Sequence, residues 1–158
     1  MFIIGIDPGA SGAVAILEES GKFVMVFDMP SMVIKVGSAM KNRVSPEMLA
    51  DELRGYANQG ARAVIEKVSA MPGQGVSSMF AFGESYGLAR GVLAGLGIPC
   101  STVTPQQWKK WHNTNASKDG SRAKAAQLWP LHAGEFKRVK DDGRAEAALI
   151  AEWGRVVP

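Results

Sequence analysis

The chain has 158 residues and a formal net charge of +3, a size that fits one compact domain spanning residues 1–158, with no shift of composition to mark a second. Its one cysteine, Cys100, excludes an intrachain disulfide and a cysteine-built zinc site, and His112 and His132 lie too far apart in sequence to form a local ligand pair. The opening MFIIGID lacks the basic flank and long apolar core of a secretion signal, and no apolar run is long enough to span a bilayer, so a cytoplasmic protein without a membrane partner is expected.

In chain order, residues 2 to 7, 12 to 18 and 22 to 28 read as three strands joined by turns short enough for consecutive antiparallel hairpins. A loop through Pro30 and Gly37 is expected next. SPEMLADELRGYA then starts a helix, with Ser45 as N-cap and Pro46 in the first position, and Met48, Leu49, Leu53 and Tyr56 recur at helical spacing as its buried face. RAVIEKV is a fourth strand. Because a helix precedes it, it is expected to lie parallel to a meander strand. A long helix over 76 to 96, a fifth strand at IPCSTV and a short helix from Thr104 and Pro105 extend the sheet, and helices over 118 to 128 and 141 to 154 complete the chain.

The long helix carries Gly83, Gly87, Gly91 and Gly95 at four-residue spacing, which places them on one face. Each costs roughly 1 kcal/mol relative to Ala in a helix interior. Either close packing within the domain or a subunit interface would offset that cost.

Asp7 ends the apolar run IIGID and Glu66 ends AVIE. On parallel neighbouring strands both carboxylates reach one sheet edge, the carboxyl end where open α/β sheets bind ligands. Two acids there repel each other unless a cation neutralises them, and a hard ion such as Mg²⁺ is the natural choice. The last helix adds KDDGRAEAALIAEWG, in which Glu146 sits among small and apolar residues where an inward-facing position is expected. Two strand acids and a helix acid form the pattern of a two-metal nuclease. Between Lys109 and Lys140 the cations Lys110, Lys118, Arg122, Lys124, Lys137 and Arg138 face only Asp119 and Glu135, so this segment can present positive charge to phosphates.

GIDPGASG, IEKV, TPQQWKKW with NASK, and DDGRAEAALIA together resemble the RuvC family of Holliday-junction resolvases, of its divergent phage and prophage kind, over nearly the whole chain. The resemblance implies an α/β ribonuclease H-like fold: a five-stranded mixed sheet of order 3-2-1-4-5, its first three strands antiparallel, flanked by helices. It implies a homodimer that cuts four-way DNA junctions with two Mg²⁺ per active site, for which Mn²⁺ substitutes. Asp7 and Glu66 become metal ligands with the helix acids, and Lys109 and Lys118 occupy the basic positions beside the scissile phosphate, Lys118 with a catalytic role. Lys110, Arg122 and Lys124 are expected to contact DNA. In the loop after Glu66, Gly73 and Gly75 allow close approach of a phosphate, with Ser77 and Ser78 as donors. Met71 and Phe80 are the candidates for the family's apolar wedge between bases. For Phe80 plain core packing is the expectation, ahead of the wedge.

One departure matters. The family's bacterial pattern spaces its helix acids by three, whereas Glu146 follows Asp142 by four and Asp141 by five. Around a helix axis Asp142 and Glu146 lie about 40° apart, and Asp141 and Glu146 about 140°. Asp142 is therefore expected as the ligand, with Asp141 as helix cap and alternate. DPGASG also resembles the phosphate loop of actin-like ATPases and sugar kinases, but those need two such domains around the nucleotide, so no nucleotide cofactor is expected. A related nuclease for other branched or RNA-containing duplexes and a non-catalytic junction binder are the remaining rivals.

Overall fold

The structure, a computed structural model, describes residues 1–70, 72–114 and 118–157. Strands β1 (Phe2–Asp7), β2 (Ala13–Glu18) and β3 (Phe23–Asp28) form the antiparallel meander. A separate pair follows, β4 (Ser31–Val36) and β5 (Ala39–Val44), then α1 (Pro46–Ala57), β6 (Arg62–Glu66), α2 (Val76–Gly95), β7 (Cys100–Val103), α3 (Pro105–Trp111), α4 (Lys118–Leu128) and α5 (Asp142–Val156). Two 3₁₀ turns, Pro130–Phe136 and Val139–Asp141, lead into α5. The main sheet has the order β3-β2-β1-β6-β7, with β6 parallel to both β1 and β7. Counted within that sheet alone, this is the expected order. Among the described residues no helix is long and apolar enough to cross a membrane.

The sheet separates two cores, and the period of two along each strand assigns its residues to them. Ile4, Ile6, Val14, Ile16 and Ile65 meet Leu49 and Leu53 of α1 and Ala89 and Leu93 of α2. Ile3, Ala15, Leu17 and Val64 meet Trp108 of α3 and Leu149 and Ile150 of α5. Burial on both faces is why β1 and β2 are nearly continuous apolar runs. Helix α5 lies unusually close to the sheet. A Cβ on Gly5 would stand 2.1 Å from the Ala147 carbonyl oxygen and 2.4 Å from the Ala151 nitrogen, and one on Gly154 would stand 2.2 Å from Val64 Cγ2. The small residues of α5 thus let its backbone ride on β1 and β6.

Three expectations are corrected. The stretch expected as a loop through Pro30 and Gly37 is the β4–β5 hairpin, with Val36 opposite Ala39. Gly37, at φ 62°, supplies the positive φ its two-residue turn requires, and Val33, Ile34 and Val36 of β4 are β-formers. In α1, capped by the Ser45 hydroxyl, which accepts from the Met48 N–H at 3.3 Å, Leu49 and Leu53 face the core while Met48 is 50% exposed. The glycines of α2 serve no packing within the domain: Gly83, Gly87, Gly91 and Gly95 are exposed, and a Cβ on any of them would meet nothing within 4 Å.

Candidate active site

Strand β1 stops at Asp7 because the chain turns there, with the Gly12 N–H donating to the Gly9 carbonyl at 2.8 Å. A Cβ on Gly12 would lie 2.2 Å from the Asp7 carbonyl oxygen, so this turn needs glycine. Ile6 pairs with Ile65 in parallel register, which carries the next residues, Asp7 and Glu66, to the same sheet edge. Alternation puts both on the face covered by α5. The first turn of α5 completes the arrangement: Asp7, Gly9, Ser11, Gly12, Lys140, Asp142, Gly143 and Glu146 line one cleft of about 350 Å³. Gly143 makes the approach possible, since its Cβ would meet Ser11 O at 3.0 Å and Asp7 Oδ2 at 3.1 Å.

Glu66 stands beside this cleft. Its Oε2 accepts from the indole N–H of fully buried Trp108 at 2.7 Å. Burial pushes the Glu66 carboxyl above its ordinary value; the Trp108 hydrogen bond opposes that rise, the charge of Glu146 adds to it, and Lys109 opposes it. Lys109 Nζ in turn pairs with Glu146 Oε1 at 3.3 Å and stands 5.0 Å from the centre of the Trp108 ring. Trp108, Glu66, Glu146 and Lys109 form one linked group, of which Trp108 alone is absent from the sequence-based candidates; its signal there is an aromatic residue in a short helix that starts at Thr104–Pro105.

A raised pKa means that the folded protein holds the Glu66 proton more tightly than the unfolded chain does. The cost of ionising Glu66 is absent below the ordinary value of 4.5 and grows as pH rises through the raised one. Glu66→Gln, which still accepts from Trp108, is therefore expected to melt at a higher temperature than wild type at pH 8 in EDTA, with the gap closing near pH 4. Equal melting temperatures at pH 8 would show that Lys109 fully offsets the burial.

The two aspartates before Gly143 have different surroundings. Asp142 begins α5 and lies in the cleft, its Oδ1 2.9 Å from Arg122 Nε, each side chain 16% exposed. Asp141 is 1% exposed and accepts from Arg138, at 2.8 Å from the backbone N–H, 3.0 Å from Nε and 2.8 Å from Nη2. Burial raises the Asp141 carboxyl, but the Arg138 guanidinium and N–H outweigh it and hold the group below its ordinary value. Asp141 is thus occupied in fastening the turn before α5. Arg144 fastens the other side, donating to Asp28 Oδ1 at 2.6 Å and to Glu135 Oε2 at 2.7 Å.

Among the described residues no group of three or more His, Cys, Asp or Glu stands close enough together to hold a metal ion as placed. Asp7, Asp142 and Glu146 nevertheless bring carboxylate oxygens to the cleft, the chemistry that suits a hard divalent ion. Arg122 on Asp142 and Lys109 on Glu146 supply positive charge at the positions where such an ion would share these groups.

The expected DNA contacts are scattered. Lys109 and Arg122 turn into the site, and Arg122 also holds Asp119 and the Lys137 carbonyl. Lys110 is exposed at the end of α3, and Lys124 lines a separate depression with His112 and Gln127. Lys118 opens α4, its side chain outside the described residues, and Met71 is also outside them. Gly73, at φ 82°, and Gly75, the N-cap of α2, precede exposed Ser77 and Ser78. Phe80 is 74% exposed, so it is not a core residue.

No family model and no curated protein matches the chain. Solved structures do. The Thermus thermophilus RuvC in complex with a Holliday junction substrate superposes with a TM-score of 0.62 at 15% identity, covering 96% of this chain and 90% of that one. A second Thermus thermophilus RuvC structure gives 0.55 at 17% identity over 98% and 96% of the two chains. The chain accordingly has the RuvC-like, ribonuclease H-type fold, a mixed five-stranded sheet flanked by helices.

Proposed function

We propose that this protein is a structure-specific endonuclease that resolves four-way DNA junctions by paired, Mg²⁺-dependent hydrolysis of phosphodiester bonds on two strands. The observation that carries the reading is the cleft in which Asp142 and Glu146 of α5 meet Asp7 at the carboxyl end of β1, with Glu66 beside it. The fold likeness adds to it, because the RuvC of that fold was solved with a Holliday junction substrate.

Asp7, Glu66, Asp142 and Glu146 would hold two Mg²⁺ ions, with Mn²⁺ as a substitute. Bound there, the metal supplies activation of water and neutralisation of the charge that builds on the phosphate. Trp108 fixes the direction of the Glu66 carboxylate, and Lys109 and Arg122 keep the α5 acids in charge balance while bringing positive charge to the cleft. Lys118 is proposed as the cation beside the scissile phosphate, and exposed Phe80 as the apolar wedge. Lys110, Lys124 and the start of α2 would contact the backbone of the DNA.

Paired cuts on a four-way junction need two sites related by a two-fold axis, so the working unit is proposed to be a homodimer. The outward glycine face of α2 offers a surface on which a second backbone could come close. The test is incubation of a synthetic four-way junction with Mg²⁺, scored for paired nicks against linear duplex and RNA–DNA hybrid, together with sedimentation of the protein alone and on the junction. Junction-selective paired nicks by a dimer are expected. Equal cutting of the hybrid, or a monomer in both states, would overturn the reading.

A further inference from the structure

The β4–β5 hairpin has no part in the site described above, yet it is fastened beside it. The Met29 N–H donates to the Gly12 carbonyl and the Ser45 N–H to the Pro30 carbonyl, both at 2.9 Å, so the hairpin rises from the turn that follows Asp7. Among the described residues β5 pairs only with β4, which leaves its other edge open. Between β5 and the start of α2 runs a groove of about 620 Å³, lined by Lys41, Asn42 and Arg43 on one side and Ser77 and Ser78 on the other. Gly9 and Ser11 line both this groove and the acidic cleft, so the two adjoin at the turn that follows Asp7. Among the described residues no carboxylate lines the groove.

Its two cations have different duties. Arg43 Nε pairs with Glu84 at 3.3 Å and Arg43 Nη1 donates to the Asn42 carbonyl at 3.1 Å, which ties the hairpin to α2. Lys41 is exposed and has no ion pair among the described residues. An exposed cation and an amide facing two hydroxyls across a groove form the donor set that holds sugar–phosphate oxygens, and such contacts position a duplex without reading its bases.

We infer that the hairpin is a second DNA contact: Lys41 neutralises a phosphate of the duplex arm that leaves the acidic cleft along the groove, with Asn42, Ser77 and Ser78 donating to neighbouring backbone oxygens. This rests on the DNA reading proposed above. It adds an element that sets the direction in which an arm departs from the site of cutting.

The test is fluorescence anisotropy of a labelled four-way junction and a labelled linear duplex in EDTA over a series of NaCl concentrations, with wild type, Lys41→Gln, Lys41→Glu and Lys41→Arg. Thermal melting accompanies each to show that the fold is kept. Lys41→Gln should weaken binding of both DNAs by about 5-fold at low salt and lower the slope of log K against log salt by about 0.9, the release of one phosphate's counterion. Lys41→Glu should weaken it further, and Lys41→Arg should match wild type. Unchanged affinity and slope in Lys41→Gln and Lys41→Glu would overturn the inference, and would leave the nuclease reading standing if wild type nicks the junction. Lys41-dependent duplex binding by a protein that nicks no branched DNA would do the reverse. A wild type that binds neither DNA would overturn both.

Discussion

Asp142→Asn is expected to eliminate Mg²⁺-dependent nicking of a four-way junction, a fall of roughly 100-fold or more, the scale on which single electrostatic groups at a reacting centre are felt. Asp141→Asn, one residue away, is expected to keep most of that activity. The difference follows from where each carboxylate goes. Asp142 shares its cleft with Asp7 and Glu146, and the four-residue spacing puts Glu146 one turn along the same face of α5. Asp141 is buried and bound by Arg138. Asp141→Asn therefore weakens a charge-assisted contact and is expected to cost about 1.5 kcal/mol of stability. That cost depends on pH: a carboxyl held below its ordinary value contributes stability above about pH 4, and the contribution is lost as pH falls through the lowered value. Binding separates activity from folding, since Asp142→Asn removes a negative charge near phosphate and should bind the junction as tightly as wild type or more so. Retained nicking in Asp142→Asn with loss in Asp141→Asn would reverse the assignment.

The largest expected effect on stability comes from Gly5→Ala, which adds a single methyl group. That methyl would fall 2.1 Å from the Ala147 carbonyl oxygen and 2.4 Å from the Ala151 nitrogen, both backbone atoms of a helix that cannot turn aside as a side chain can. Either α5 lifts off β1 or the strand shifts, and overpacking of this kind costs about 3 kcal/mol. For a chain of this length the melting temperature is expected to fall on the order of 10 °C. Activity should fall with it, even at temperatures where the variant is folded, because Asp142 and Glu146 ride on the helix that moves. Gly87→Ala is the matched control: its Cβ would meet nothing within 4 Å, and it replaces glycine in a helix interior, so the monomer should be slightly stabilised. A Gly5→Ala variant with the wild-type melting temperature would show that α5 does not sit this close to the sheet.

The sequence by itself determined the elements whose causes are local. The apolar runs of β1 and β6 announced buried parallel strands ending on Asp7 and Glu66. Ser45–Pro46 and Thr104–Pro105 marked helix starts, which the structure caps with the Ser45 and Thr104 hydroxyls. Glu146 among alanines pointed inward because α5 is almost wholly small and apolar on that side. The β4–β5 hairpin, expected as a loop, carries a weaker local signal, Val33, Ile34 and Val36 before Gly37–Ser38, because its strands are mostly exposed and lack the apolar pattern that burial imposes. Tertiary structure alone decided the partners. Nothing local says that Trp108 holds Glu66 across 42 residues, that Arg122 faces Asp142, or that the glycines of α2 look outward. The reason is physical. Capping and periodicity are set by neighbours within a few residues, whereas the charge that meets a carboxylate is set by how closely two distant backbones pack, and here that depends on a missing Cβ at Gly5, Gly12 and Gly143.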